Sequence, residues 1–311
     1  MFQSNRHEHA SGFIEFRTES LTGIRTRICP ERVKRGIGVP DIPEYSEEGC
    51  PFCPEKVCQV TPVFPDGSRL KVGDSITFPN LYPFAHYHTV TVMSGEHVVR
   101  RFTYDLIHNA LSGQIRAMKD QSGYVSINWN YLPSAGASLP HPHLQGLCDA
   151  VPDTLLMKYL RGSLEYYNEH NQSWWNYLKE SESQTERCLK GTDLFWYAHH
   201  VPVGEKEIRC ILPATTVSDF QASVSLFSED LIRILEFYQD MGHGAWNMSI
   251  FFATDDEREY FSAFATLVAR INPNPLSTSD TAFMEKLHLE PVILTLPEDL
   301  GNIWRNCNGN Q

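Results

Sequence analysis

The segment His141-Pro142-His143-Leu144-Gln145 sets two imidazoles and an amide at alternate positions. If the segment is extended, all three project from one face, because alternate side chains of a strand point the same way. A neutral imidazole can attack phosphorus and split one hard displacement into two through a covalent intermediate. For that, one ring nitrogen must be free and the other must find an acceptor that fixes the tautomer. A neighbouring amide can donate to a non-bridging phosphoryl oxygen without adding a competing nucleophile. By residue type alone, two histidines in a proline-bent strand could equally be buried structural residues.

Cys50-Pro51-Phe52-Cys53 offers two thiolates at zinc-ligand spacing, and zinc takes four nitrogen or sulfur ligands in a tetrahedron. There is no second Cys-x-x-Cys, so histidines must complete any such site. His97 and His141 are the candidates; His86 and His88 are weaker ones, because they fall inside a strand whose faces are needed for packing. A redox pair is the other reading of Cys-x-x-Cys. That reading wants a βαβ unit around the motif, and none is evident.

The elements that must position these residues read as follows. Residues 84–93 are β-rich. Residues 98–119 place Val99, Phe102, Leu106, Leu111, Ile115 and Met118 at helical spacing, which predicts an amphipathic helix. Tyr124 to Asn130 alternates, with Val125, Ile127 and Trp129 on one face and Ser126, Asn128 and Asn130 on the other, as a half-buried strand does. A Pro/Ser/Gly/Ala loop then leads into Pro140–Leu147. The same order recurs: strands at 194–201 and 207–212 around Pro202-Val203-Gly204, a helix that Ser228 would cap, and strands at 246–253 and 261–271. Residues 153–180 read as one or two helices between the halves, and the C-terminal NIWRNCNGNQ as frayed. His199 and His200 read as sheet residues, and Trp174, Trp175, Tyr166 and Tyr167 as helix packing.

The 311 residues are 41% hydrophobic and 21% charged, an ordinary globular balance. A formal net charge of −12 does not suit a nucleic-acid or acidic-membrane surface. No apolar run approaches the ~20 residues of a membrane span, and the polar N-terminus lacks the apolar stretch of a signal peptide. The expectation is a cytoplasmic protein with neither nucleic acid nor membrane as partner. Among the eight cysteines, those outside the Cys50/Cys53 pair read as ordinary thiols.

Cys50-Pro-Phe-Cys53, Asn80 in FPNLYPF, His97, and Asn130-x5-Gly136-x-Ser138-x2-His141-Pro-His143-x-Gln145 together resemble the galactose-1-phosphate uridylyltransferase branch of the histidine-triad superfamily. That branch includes the ADP-glucose phosphorylases. The likeness runs from about residue 25 to about 300. It includes CPERVKR, with Arg32 and Arg35, and more weakly FWYAHHVPVGEKEIRCILP, GAWNMSIFF and AFMEKLHLEP. It implies an α+β fold of duplicated histidine-triad-like halves, antiparallel sheets flanked by helices. The N-terminal half, residues 1–175, would carry the zinc site and nucleophile, and the C-terminal half, 176–311, substrate recognition.

By the same resemblance His143 carries the nucleotidyl group, and Gln145 contacts phosphoryl oxygens and favours transfer over hydrolysis. Cys50, Cys53, His97 and His141 hold one structural Zn2+. Asn130, Gly136 and Ser138 face the phosphates, Asn80 lies near the nucleoside, and Arg32 and Arg35 contact sugar-phosphate oxygens. Backbone amides around Gly136 would add countercharge.

Two departures stand out. The His-x-His-Phe element of the uridylyltransferases, part of a second metal site in some members, corresponds here to Phe261–Leu267 and contains no histidine, so no second metal is expected and one zinc per chain is. The hexose-recognition segment corresponds at best to Ala282–Glu290, with Glu290 as the substitute glutamate. The implied reaction moves a nucleoside monophosphate from a nucleoside-diphosphate sugar to a sugar 1-phosphate. Phosphorolysis with inorganic phosphate, of ADP-glucose or a dinucleoside polyphosphate, is the alternative, and a zinc-stabilised nucleotide-binding protein without turnover is the third reading. A homodimer is compatible with all three.

Overall fold

The structure is a computed structural model and describes residues 1–35, 45–271 and 280–308, the side chains of Arg35 and Asn308 excepted. Its strands are β1 (Phe2–His9), β2 (Gly12–Glu19), β3 (Arg25–Ile28), β4 (Leu70–Val72), β5 (Ser75–Pro79), β6 (Tyr87–Val92), β7 (Tyr124–Tyr131), β8 (His143–Asp149), β9 (Phe195–Ala198), β10 (Ile208–Ile211), β11 (Trp246–Phe251), β12 (Phe264–Ala269) and β13 (Val292–Ile293). The helices are α1 (Pro54–Val60), α2 (Tyr104–Met118), α3 (Thr154–His170), α4 (Trp174–Glu182), α5 (Val217–Phe220), α6 (Val224–Asp240) and α7 (Pro297–Asn308).

Nine strands form one sheet in the order β4-β5-β6-β8-β7-β11-β12-β10-β9, every pairing antiparallel. The two halves meet at β7 and β11, where Asn130 pairs with Asn247 and Asn128 with Ser249. A continuous register row crosses the sheet through Val90, Gln145, Asn128, Ser249, Thr266, Arg209 and Tyr197. All of these side chains therefore lie on one face.

The opposite face is apolar. Ile127, Trp129, Leu144, Met248 and Ile250 pack there with Leu111 and Ile115 of α2 and Leu231 and Ile234 of α6 in one core. Strict alternation along β7, buried on odd residues and half-buried on even ones, is what a sheet with helices on one side imposes. The polar-row face is covered at both ends. Tyr159, Trp175 and Leu178 of α3 and α4 sit on Tyr197, Phe251 and Phe264. Val57 of α1 sits on Phe78, Val90 and Val92. Between them a strip of Ser126, Asn128, Asn130, Gln145, Asn247 and Ser249 stays half-buried.

β1, β2, β3 and β13 form a second sheet of four strands, with β13 parallel to β3. Nothing in the composition of the first 28 residues announced this sheet. Three other details also differ from the expectations. α2 begins at Tyr104, where Thr103 accepts a hydrogen bond from Leu106 N, so Val99 and Phe102 reach the same core from the preceding loop. Ser228 does not cap a helix: it lies inside α6 and its hydroxyl donates back to Val224 O at 2.7 Å, a pattern serine adopts within helices. The C-terminal segment through Asn308 is helical rather than frayed, because Leu300 and Trp304 are buried in the main core. Among the described residues, no helix is long and apolar enough to cross a membrane.

Candidate functional site

His143 opens β8, next to Val92 of β6 in the register. Its Nδ1 stands 2.8 Å from the backbone oxygen of His141. A carbonyl can only accept, so Nδ1 carries the proton and Nε2 keeps its lone pair. Burial lowers the pKa of His143, and the bond to the His141 carbonyl opposes that only in part, so the ring is neutral. The ring of Phe52 lies edge-on to His143 at 5.2 Å between centroids and packs against His141 as well. The Cys-x-x-Cys turn thus supplies a wall for the imidazole besides its two sulfurs.

Gln145, two residues on, shares the face of His143. His88 of β6 sits diagonally across from it, since His88 pairs with Leu147. Phe84 N donates to His88 Nδ1 at 3.4 Å, which leaves the proton on Nε2, and Nε2 lies 3.0 Å from Gln145 Oε1. With its oxygen engaged, the Gln145 side chain turns its NH2 away from His88. Burial lowers the pKa of His88, opposed by the Gln145 bond, so it too is neutral. Asn80 belongs to this cluster: its NH2 can donate to the unprotonated His88 Nδ1 at 3.3 Å, and its Oδ1 accepts from Tyr82 N at 3.0 Å. The expectation that the faces around His88 serve packing alone missed this contact.

Cys50, Cys53, His97 and His141 come together from three separate stretches, with one donor atom of each within 4.8 Å of the others, all buried. His141 Nδ1 is 3.8 Å from both sulfurs, and His97 Nδ1 is 3.5 Å from Cys53 Sγ. A tetrahedral zinc with sulfur at about 2.3 Å and nitrogen at about 2.0–2.1 Å has sulfur–nitrogen edges of roughly 3.6 Å, so the four donors fit one. His141 Nε2 donates to Ser94 O at 2.8 Å, the outer bond that commonly fixes a ligating imidazole. His97 Nε2 is buried without a partner. Burial and the adjacent Cys50 push the Cys53 thiol up to about 11, a cost that a bound cation would reverse.

The loop before His141 is shaped by backbone geometry. Leu132 (φ 71) and Gly136 (φ 88) both lie in the left-handed region around a short turn, Pro133–Ala135; the second needs no side chain and suits glycine. The N–H groups of Ala135, Gly136 and Ala137 are consumed inside this turn by Leu132 O and Pro133 O. As folded they are not free for a phosphate, contrary to the expectation. Gly136 and Ser138 are exposed. Asn130 accepts from Asn247 Nδ2 at 2.6 Å, and the same amide donates to Ala135 O at 2.8 Å. Arg270 Nη1 donates to Asn247 Oδ1 at 2.7 Å. Asn247 and Arg270 escaped the sequence reading, because only the β7–β11 register places them beside the loop.

The remaining candidates lie elsewhere. Arg32 lines a surface cavity of about 620 Å³ with His9, Phe13, Cys29 and Lys34, a cavity with no residue of β6, β7 or β8. The side chain of Arg35 is outside the described residues. The Glu290 carboxylate is bound by Arg27 at 2.9 Å and Arg25 at 3.1 Å.

This architecture is the histidine-triad-like fold in its duplicated form, the fold of the uridylyltransferases and ADP-glucose phosphorylase. The chain superposes on an ADP-glucose phosphorylase from Arabidopsis thaliana with bound ADP-glucose at a TM-score of 0.74, with 17% identity, over 94% of this chain and 98% of that one. A galT-like protein from the same plant gives 0.73 and 16% identity over 93% and 98%. A uridylyltransferase mutant gives 0.69 and 16% over 95% and 98%. In sequence, the chain is 26% identical over 313 residues to an uncharacterized protein of Archaeoglobus fulgidus, covering 94% of this chain and 92% of that protein. No family model matches the chain.

Proposed function

We propose that the protein is a nucleotidyltransferase that carries a nucleoside monophosphate on His143. The observation behind this is the 2.8 Å bond from His143 Nδ1 to His141 O, which leaves Nε2 neutral and unprotonated on the strand face it shares with Gln145. In the reaction Nε2 attacks the α-phosphorus of a nucleoside-diphosphate sugar. The bond to the bridging oxygen breaks, its electron pair leaves with the sugar 1-phosphate, and a nucleotidyl-histidine remains. The NH2 of Gln145 donates to a non-bridging oxygen as charge builds there. A second phosphate then displaces His143 and takes the nucleotide.

Zn2+ is the ion the Cys50, Cys53, His97 and His141 set would hold. With all four positions filled by protein it would support structure rather than chemistry. Through His141 it would fix the strand that carries His143. Sugar 1-phosphate is the acceptor in the first reading. Inorganic phosphate is the second, favoured by one feature: Glu290, the expected hexose-binding glutamate, is tied to Arg25 and Arg27.

The test is incubation with nucleoside-diphosphate sugars radiolabelled in the α-phosphate. Acid-labile, base-stable label on the chain, absent from His143→Ala, is expected. Chasing the label with sugar 1-phosphates or with inorganic phosphate names the acceptor. No label from any donor, on protein with its metal intact, would leave only nucleotide binding.

A further inference from the structure

We infer that a second metal site lies between the two sheets, with Glu19, His199 and His200 as ligands to a divalent first-row transition ion. Glu19 ends β2, and the two histidines follow β9; they are 1%, 1% and 0% exposed. One donor atom of each lies within 4.8 Å of the other two.

The site sits in a buried network of acids and arginines, and Glu19 is the odd member of it. Glu15 is held by Arg17, Glu182 by Arg187, Glu207 by Arg209, and Glu298 by Arg17 and Arg187. Among the described residues no guanidinium pairs directly with Glu19: Arg209 acts on it only by way of the Tyr159 hydroxyl, which donates to its oxygens at 3.1 and 3.0 Å, and the Thr22 hydroxyl donates as well. A buried carboxylate without a direct cationic partner is costly, and either an imidazolium or a metal beside it would relieve that cost.

The distances choose between these. His199 Nε2 and His200 Nε2 are 3.6 and 3.7 Å from Glu19 Oε1, too long for a hydrogen bond from either ring. Among the described residues neither nitrogen of His200 finds a hydrogen-bond partner. Separations of this size are instead close to those of two ligands flanking one ion, roughly 3.3–3.4 Å for nitrogen and oxygen donors.

The surroundings fit as well. Glu182 Oε1 lies 3.2 Å from His200 Nδ1, and a small turn of the ring on ligation at Nε2 would bring the Nδ1 proton into line with it. This is the usual outer partner of a metal-bound histidine. Tyr197 OH is 3.5 Å from His199 Nδ1. Two imidazoles and a carboxylate suit Zn2+, Fe2+ or Mn2+. Enclosed as it is, the ion would clamp β2 to the end of β9 and so join the small sheet to the large one. None of its ligands belongs to Phe261–Leu267, but a second ion here would overturn the expectation of a single metal per chain.

The test is metal analysis of the full chain, followed by stripping with a chelator and titration with Co2+. Two equivalents per chain are expected in the wild type and one in Glu19→Gln and His199→Gln. The equivalent those variants keep should show the intense thiolate-to-cobalt absorption of the cysteine site. The double variant Cys50→Ser, Cys53→Ser should keep one equivalent with weak d–d bands only. A single equivalent in the wild type, or no thiolate-free equivalent in the double variant, overturns the inference even if the Glu19 and His199 variants fail to fold.

Discussion

His88 Nε2 and Gln145 Oε1 stand 3.0 Å apart across a diagonal of β6 and β8. In the proposed reaction that bond decides which end of the glutamine amide faces the phosphate. Without it the side chain can rotate and present oxygen to an anionic phosphate. His88→Phe should lower kcat about tenfold, the effect of losing one orienting hydrogen bond worth about 1.4 kcal/mol, with donor KM little changed. His88→Asn should recover part of the loss. Steady-state kinetics of the three proteins check this, and an unchanged kcat in His88→Phe would remove His88 from the site.

Asn247 holds the loop before His141 by bridging Asn130 and Ala135. Asn247→Ala deletes both bonds and leaves Asn130 half-buried without its donor. A loss of about 1–2 kcal/mol in stability and a several-fold rise in donor KM are expected. Urea denaturation and initial rates measure the two effects, and a variant with wild-type KM would show that the loop does not depend on this bridge.

The cysteine-site metal should be separable from chemistry but not from order. Cys50→Ser is expected to lose that ion, and its unfolding free energy should fall by an amount on the order of several kcal/mol with a lower melting temperature, since binding energy at a structural site is folding energy. Because Phe52 packs on the His143 ring and the His141 carbonyl accepts from its Nδ1, kcat should fall more than KM rises. Metal analysis and thermal melts check this; full metal content in Cys50→Ser would exclude the sulfur from the ligand set.

Acid should weaken the contact between the sheets. Burial alone would raise the carboxyl pKa of Glu298, but the hydrogen bond and charge of Arg17, with Arg187, hold it below its ordinary 4.5. A group whose pKa is depressed by folding adds stability above the unfolded value. That stability is lost as pH falls through the folded value. Wild-type unfolding midpoints should therefore drop below about pH 4.5 more steeply than those of Glu298→Gln, and parallel curves would show that the ion pairs contribute nothing.

Much of the site was legible because its signals are local. Alternation along Tyr124–Asn130 announced β7, and the alternate spacing of His143 and Gln145 put both on one face wherever the strand went. The four donors Cys50, Cys53, His97 and His141 could be gathered from residue type and the family pattern. His88, Asn247 and Arg270 could not. Each matters through a partner more than 20 residues away, and only strand register puts them in reach. The N-terminal sheet was equally hidden: most of β1 is exposed, so it carries no hydrophobic period to read.

By itself, then, the chain's sequence determined the chemistry: which nitrogen-bearing and sulfur-bearing groups exist, and which share a strand face. Tertiary structure alone decided which groups are aimed and which are spent. It turned the Gln145 amide by way of His88, used up the N–H groups around Gly136, tied Glu290 to arginines and closed His199 and His200 around Glu19. The physical reason is range. Side-chain periodicity acts over a few residues, whereas a hydrogen bond or a shared ion requires atoms within about 4 Å, a condition met between distant segments only when the sheets have paired and packed.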